Sequence, residues 1–125
     1  MILADTSIWI DHLRSDNKEL RKLLHQGQIA IHPFITAELA LGSLRQRART
    51  LSLLDLLPQL PVARLSEVRT MIEVRRLYSL GIGLTDAHLI ASCLMTPGTQ
   101  LWTRDTRLAD AARALGVIAI VPVIN

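Results

Sequence analysis

The chain has 125 residues, half of them apolar, with 14 Lys and Arg against 11 Asp and Glu and only four aromatics, Trp9, Phe34, Tyr78 and Trp102. This length supports one domain, residues 1–125, with its own core, and an apolar share free of low-complexity or single-charge tracts argues against disorder. The longest apolar runs fall short of a bilayer span, the first residues meet Asp5 with no basic leader, and a lone Cys93 argues against a disulfide framework or a cysteine zinc site, so a soluble cytoplasmic protein is expected.

Ile2 to Asp5 reads as a short buried strand turning directly into a helix through Ile8, Trp9, Ile10 and Leu13, whose spacing is nearer to helix than to strand. Asp16 to Gln26 sets Leu20, Leu23 and Leu24 against charges on the other side, with Gly27 where a helix should end. Gln28 to His32 alternates like a second strand and is stopped by Pro33. From Phe34 to about Arg49 the apolar spacing predicts one core helix with an arginine tail, and Thr50 to Leu57 predicts another that ends at Pro58.

Pro61 to Leu65 is extended, and Ser66 is the expected N-cap of a helix from Glu67 to Leu80, ended by Gly81. Thr85 is the expected cap of the next helix, which runs through Leu89, Ile90, Cys93 and Leu94 to Pro97-Gly98. Gln100 to Thr103 forms a strand, Asp105-Thr106 opens a helix that Gly116 ends, and Val117 to Val121 is the last strand. Strands alternating with helices imply an α/β sandwich, a mainly parallel central sheet with helices on both faces.

In such a sheet ligands bind beyond the carboxyl ends of the strands, where Asp5 and Asp105 fall. Glu38 and Asp86 lie in helices among apolar or small neighbours, where a carboxylate is costly unless it is paired or binds a metal. Four converging carboxylates would repel one another unless a hard divalent cation neutralised them, and Mg²⁺ or Mn²⁺ suits an all-oxygen set. Removing these four from the 11 acids leaves seven against 14 bases, an acidic pocket in a basic surround suited to a polyanion. Each acid also has a plainer reading: Asp5, Asp86 and Asp105 as helix caps, Glu38 as a solvated side chain.

Four segments carry a resemblance: Met1 to Ile10 (MILADTSIWI), Thr36 to Gly42 (TAELALG), Thr85 to Ala91 (TDAHLIA) and Leu101 to Asp105 (LWTRD). In this order and spacing they resemble the signature segments of the PIN-domain ribonucleases, specifically the VapC toxins of bacterial toxin–antitoxin pairs. The resemblance implies a PIN-like three-layer sandwich and a Mg²⁺- or Mn²⁺-dependent endoribonuclease with Asp5, Glu38, Asp86 and Asp105 as its metal-binding acids. Thr6 or Ser7, and Thr103, match hydroxyls that orient the first and last carboxylates or their waters. A homodimer, structured RNA such as tRNA or rRNA as substrate, and inhibition by a VapB-type antitoxin are also implied. Where some relatives carry a further acid after the last aspartate, this chain has Arg107 and Leu108, so one-ion and two-ion sites both fit.

Of the 12 arginines, Arg45, Arg47, Arg49, Arg104 and Arg107 are candidate RNA contacts. Leu51, Leu54 and Leu57 belong to a leucine-rich stretch too apolar for one covered face, and are candidates for a groove that receives the antitoxin or the dimer partner. His88 is expected to have a structural or surface role and not to ligate a metal, and Trp9 and Trp102 to pack in the core. The rival reading is a non-catalytic RNA- or protein-binding α/β module whose acids serve as caps and ion-pair partners.

Overall fold

A computed structural model describes residues 1–124 of the chain. The elements in chain order are β1 (Ile2–Ala4), α1 (Thr6–Ser15), α2 (Lys18–His25), β2 (Ile29–Ala30), α3 (Pro33–Ala40), α4 (Arg47–Asp55), α5 (Leu65–Val74), α6 (Leu84–Met95), β3 (Gln100–Trp102) and α7 (Thr106–Ala114). The strands form a parallel sheet in the order β2-β1-β3, with Ile2 opposite both Ile29 and Gln100. Single parallel bridges widen it at each edge, Ile31 with Gln59 and Leu101 with Ile118. The strand expected over Val117 to Val121 is therefore reduced to a short paired stretch, in which Leu101 N–H donates to the Val117 carbonyl at 2.6 Å and Ala119 N–H to the Leu101 carbonyl at 2.8 Å. Among the described residues no strand pairing continues beyond Ala119, and Ile120 is exposed.

Connection handedness sorts the helices. Moving outward from β1 through β2 to Gln59, right-handed crossovers lay α1 to α4 on one face; the return to β3 and on to Ile118 lays α5 to α7 on the other. Direct packing of α1 on α2 and α3, of α3 on α4, and of α5 on α6 follows that division. The strands are buried from both sides, which is why Leu3, Ala4, Ile29, Ala30, Ile31 and Leu101 read as apolar runs. Ile8, Leu20, Ile35, Leu89, Ile90 and Leu108 complete the core from the helices, and Trp9 packs there as expected. Cys93 is buried on α6, and burial pushes its thiol up to about 12.

Several helix limits differ from the sequence expectation. The helix predicted over Phe34 to Arg49 is broken: α3 ends at Ala40, Gln46 adopts a left-handed φ of 47°, and Arg47 opens α4. Arg47 turns back to donate to the carbonyls of Ala40 at 2.6 Å and Gly42 at 3.3 Å, supplying partners that the helix end lacks. α5 starts after Arg64 instead of Ser66, because Glu67 reaches back to accept from the Arg64 N–H at 2.9 Å. It ends early because Arg76 takes a left-handed φ of 55°, with Leu77 N–H donating to Ile72 O at 2.9 Å and Arg76 N–H to Glu73 O at 3.3 Å. α6 is capped by Gly83, two residues before the expected Thr85.

The leucine-rich stretch also faces differently from the expectation. Leu54 is 3% exposed and belongs to the core, while Leu51 and Leu57 are half-buried against it. The helical turn sends Leu53 outward instead, at 54% exposed, and Leu56, the residue that caps the end of α4, is 80% exposed.

Candidate active site

β1 and β3 are adjacent and parallel, yet the chain leaves them towards opposite edges of the sheet. That divergence makes a topological switch point, and the crevice beyond the carboxyl ends of the two strands is where such sheets bind ligands. Asp5 follows β1 there, and its N–H donates to the Trp102 carbonyl at 2.9 Å as the last rung between the strands. Asp105 stands three residues past the end of β3, across that rung from Asp5.

Asp5 is 6% exposed and caps α1, accepting at Oδ1 from the Ile8 N–H at 3.2 Å and from the Ser7 hydroxyl. Its Oδ2 accepts from the Thr103 hydroxyl, whose oxygen in turn accepts from the Asp105 N–H at 3.0 Å. One threonine therefore ties the two strand-end acids together. Asp105 caps α7, accepting from the N–H groups of Arg107 at 2.9 Å and Leu108 at 3.3 Å. Glu38, half-buried in the last turn of α3, accepts at Oε2 from the Thr6 hydroxyl at 2.8 Å. All three hydroxyls named from sequence contact acids, although Thr6 serves Glu38 and not the first carboxylate.

Asp86 sits in the first turn of α6 and accepts from the Gly83 N–H at 3.3 Å. Burial pushes its carboxyl above the ordinary aspartate range, the Gly83 N–H pulls it down, and the charges of Asp105, Asp5 and Glu38 push it up again. Asp105, Asp5 and Glu38, from three other segments, therefore lie near enough for their charges to act on the Asp86 carboxyl. Among the described residues no three acid or imidazole groups are close enough to form a ready-made ligand cage. The donor set nonetheless fits a hard cation that keeps much of its water and takes one or two carboxylates directly, as Mg²⁺ does.

The arginines divide. Arg104 donates to Asp11 Oδ2 at 3.0 Å and Arg47 is held at the end of α3, so two of the five candidate RNA contacts already have partners in the fold. Arg45 lines a cleft of about 610 Å³ with Ile10, Leu13, Arg14 and, alone of the four acids, Glu38, which opens where α3 breaks. Arg49 is exposed. Arg107 lies along Gly81, whose φ of +77° and missing side chain both admit it: a Cβ there would fall 2.6 Å from the guanidinium.

Sequence reasoning missed a buried aromatic cluster. His32 caps α3, accepting at Nδ1 from the Phe34 N–H at 2.9 Å, and Phe34 packs on His88 with ring centroids 4.6 Å apart. Burial and the neighbouring His88 lower the His32 pKa to about 4. Of the structural and surface roles expected for His88 its burial leaves the structural one, but nothing in the spacing of His32 and His88 announced that they would meet.

Residues 2–114 match the PIN domain family. Ribonuclease VapC32 of Mycobacterium tuberculosis strain CDC 1551 / Oshkosh is 45% identical over 117 residues, covering 94% of this chain and 94% of that protein. The protein of the same name from strain ATCC 25618 / H37Rv gives the same figures. With a parallel α/β sheet, acids at its switch point and a match over almost its whole length, the chain belongs to the PIN domain family.

Proposed function

We propose that the chain is a metal-dependent endoribonuclease, the toxin half of a toxin–antitoxin pair, with Asp5, Glu38, Asp86 and Asp105 as its acidic site. The observation that carries this reading is the pair of strand-end acids joined through one threonine, Asp5 and Asp105 through Thr103, with Glu38 tied to the start of α1 by Thr6, at the switch point of a chain similar to a ribonuclease. A bound Mg²⁺ or Mn²⁺ would supply charge neutralisation, activation of a water and stabilisation of the leaving oxygen. Asp5, Asp86 and Asp105, with Glu38 beside them, are the residues that would hold it. The protein itself contributes orientation: Ser7 and Thr103 fix both oxygens of Asp5, Thr6 fixes one of Glu38, and the N-terminal N–H groups of α7 fix one of Asp105.

Structured RNA, such as tRNA or rRNA, is the substrate class this reading favours, held by the basic surround. A VapB-type antitoxin, a homodimer and a cytoplasmic setting belong to the same proposal; no helix among the described residues is long and apolar enough to cross a membrane. On α4 the residues such a protein partner would meet are Leu53 and Leu56.

One observation favours the rival, non-catalytic module: Asp5, Asp86 and Asp105 all accept backbone N–H bonds at helix starts. Capping does not compete with ligation, since each carboxylate has a second oxygen or a second lone pair. Cleavage of total RNA by partner-free protein decides between them, with Mg²⁺, with Mn²⁺ and with EDTA, beside Asp5→Asn and Asp86→Asn. Discrete fragments that require the ion and vanish in both variants are expected. Identical behaviour of wild type and variants would leave the acids as caps.

A further inference from the structure

We infer that Arg104 is a positioning residue of the acidic site, acting through Asp11, and does not bind RNA. The inference rests on the four-acid reading of the site. Arg104 stands between Thr103, which donates to Asp5, and Asp105, whose N–H donates back to Thr103. Its own side chain leaves this turn and donates to Asp11 Oδ2 at 3.0 Å, joining residues 93 positions apart.

The acceptor is already held in place. The same Asp11 oxygen accepts from Asn17 Nδ2 at 3.0 Å, and Asn17 is buried and caps α2, accepting from the Leu20 N–H at 2.9 Å. Arg104 therefore docks on a carboxylate anchored by the start of the next helix, which holds its guanidinium against α1.

The geometry explains why a second anchor matters. α1 carries both attachment points, Asp5 at its cap and Asp11 along its length, roughly 9 Å apart at the helical rise. Thr103 ties the turn to α1 at one point, Asp5, and the Arg104–Asp11 pair ties it at a second. Two points fix its rotation as well as its position. The ion pair is half-exposed, with Arg104 at 56% and Asp11 at 31%, so it adds little to global stability. Misplacing a reacting group by about 1 Å, by contrast, can lower a rate about a hundredfold.

The test uses the full chain as wild type, Arg104→Gln, Arg104→Lys, Asp11→Asn, the Arg104→Gln/Asp11→Asn double variant and Asp5→Asn. Steady-state RNA cleavage is measured, and Mn²⁺ binding without RNA is followed by the ion's electron paramagnetic resonance. Arg104→Gln and Asp11→Asn should each lower kcat and Mn²⁺ affinity about tenfold, the range for residues that orient metal ligands. KM should stay within about twofold, the double variant should be no worse than either single, and Arg104→Lys should recover part of the loss.

A rise in KM for Arg104→Gln, with Asp11→Asn silent and Mn²⁺ affinity unchanged, is the signature of a phosphate contact and overturns the inference. So does an unchanged kcat and Mn²⁺ affinity in both single variants. If Arg104→Gln does not fold, Asp11→Asn carries the same comparison, because it removes the pair from the other side. Full activity in Asp5→Asn would overturn the four-acid reading itself, whereas inactive Asp5→Asn beside normal Arg104→Gln overturns only the positioning role.

Discussion

Asp86 is a carboxylate whose surroundings favour its protonated form, through burial first and then through Asp105, Asp5 and Glu38. A folded-state pKa above the unfolded value means that the proton binds the folded chain more tightly. Its stabilising contribution is complete below the unfolded pKa of 3.8 and is lost as pH rises through the folded value. In EDTA, Asp86→Asn should therefore melt higher than wild type at neutral pH, although it cleaves no RNA once Mg²⁺ is restored, and the melting difference should shrink as pH falls towards the Asp86 range. His32 works in the other direction. Its pKa is lowered from 6.5 to about 4, so the stability it contributes is present above 6.5 and lost as pH falls through 4. That loss is common to both proteins and cancels in their difference. Melting curves of the pair across this range check the prediction, and a pH-independent gap would mean that Asp86 does not feel its neighbours. The same repulsion is what a divalent ion would relieve.

At the scale of elements, the leucine-rich helix makes a sharp contrast between neighbours. Leu54→Ala removes a 3%-exposed core side chain and should cost about 2–5 kcal/mol in chemical denaturation, whereas Leu56→Ala, at an 80%-exposed position, should stay within about 0.5 kcal/mol. Equal effects would refute the orientation of α4. The same helix shows what sequence could not reveal. Leucine content announced an apolar segment, but deciding which leucines face outward needed the break at Leu41 to Gln46, and that break is made by Arg47 reaching back to Ala40 and Gly42. Likewise α5 stops at a left-handed arginine, Arg76, where a stop signal is normally glycine, so periodicity overran it. The strands and the candidate site were more legible, because a buried parallel strand must be continuously apolar and an acid at its end stands out: Ile2 to Asp5 and Leu101 to Asp105 announce themselves. Glu38 and Asp86 stood out as acids among apolar neighbours, and the motif resemblance joined them to the strand ends. The Asp11–Arg104 pair carried no local signal, since its partners are 93 residues apart and only the fold brings them together.

For the whole molecule, the question is which charges meet the polyanion. The four acids of the proposed site leave a basic remainder, so RNA binding should be steered electrostatically and weaken with salt. Sequence suggested five arginines for this contact, but the fold already employs two: Arg47 closes the end of α3 and Arg104 is paired with Asp11. Arg45, Arg49 and Arg107 have no carboxylate within ion-pair distance among the described residues. A side chain that neutralises a phosphate releases its counterion and adds about 0.7–0.9 to the slope of log affinity against log salt, and one that its partners in the fold hold away from the RNA adds nothing. With catalytically silent Asp5→Asn as the background, equilibrium RNA binding measured from about 50 to 200 mM salt therefore counts contacts. Arg45→Gln, Arg49→Gln and Arg107→Gln should each lower the slope by roughly 0.7–0.9, and the three together should weaken binding about 20- to 40-fold more at the low-salt end than at the high. Arg47→Gln and Arg104→Gln should leave the slope unchanged. A drop for Arg47→Gln or Arg104→Gln equal to the other three would mean that RNA displaces the internal partners, and that the basic surround is a reservoir the fold holds in readiness instead of a surface already divided between structure and substrate.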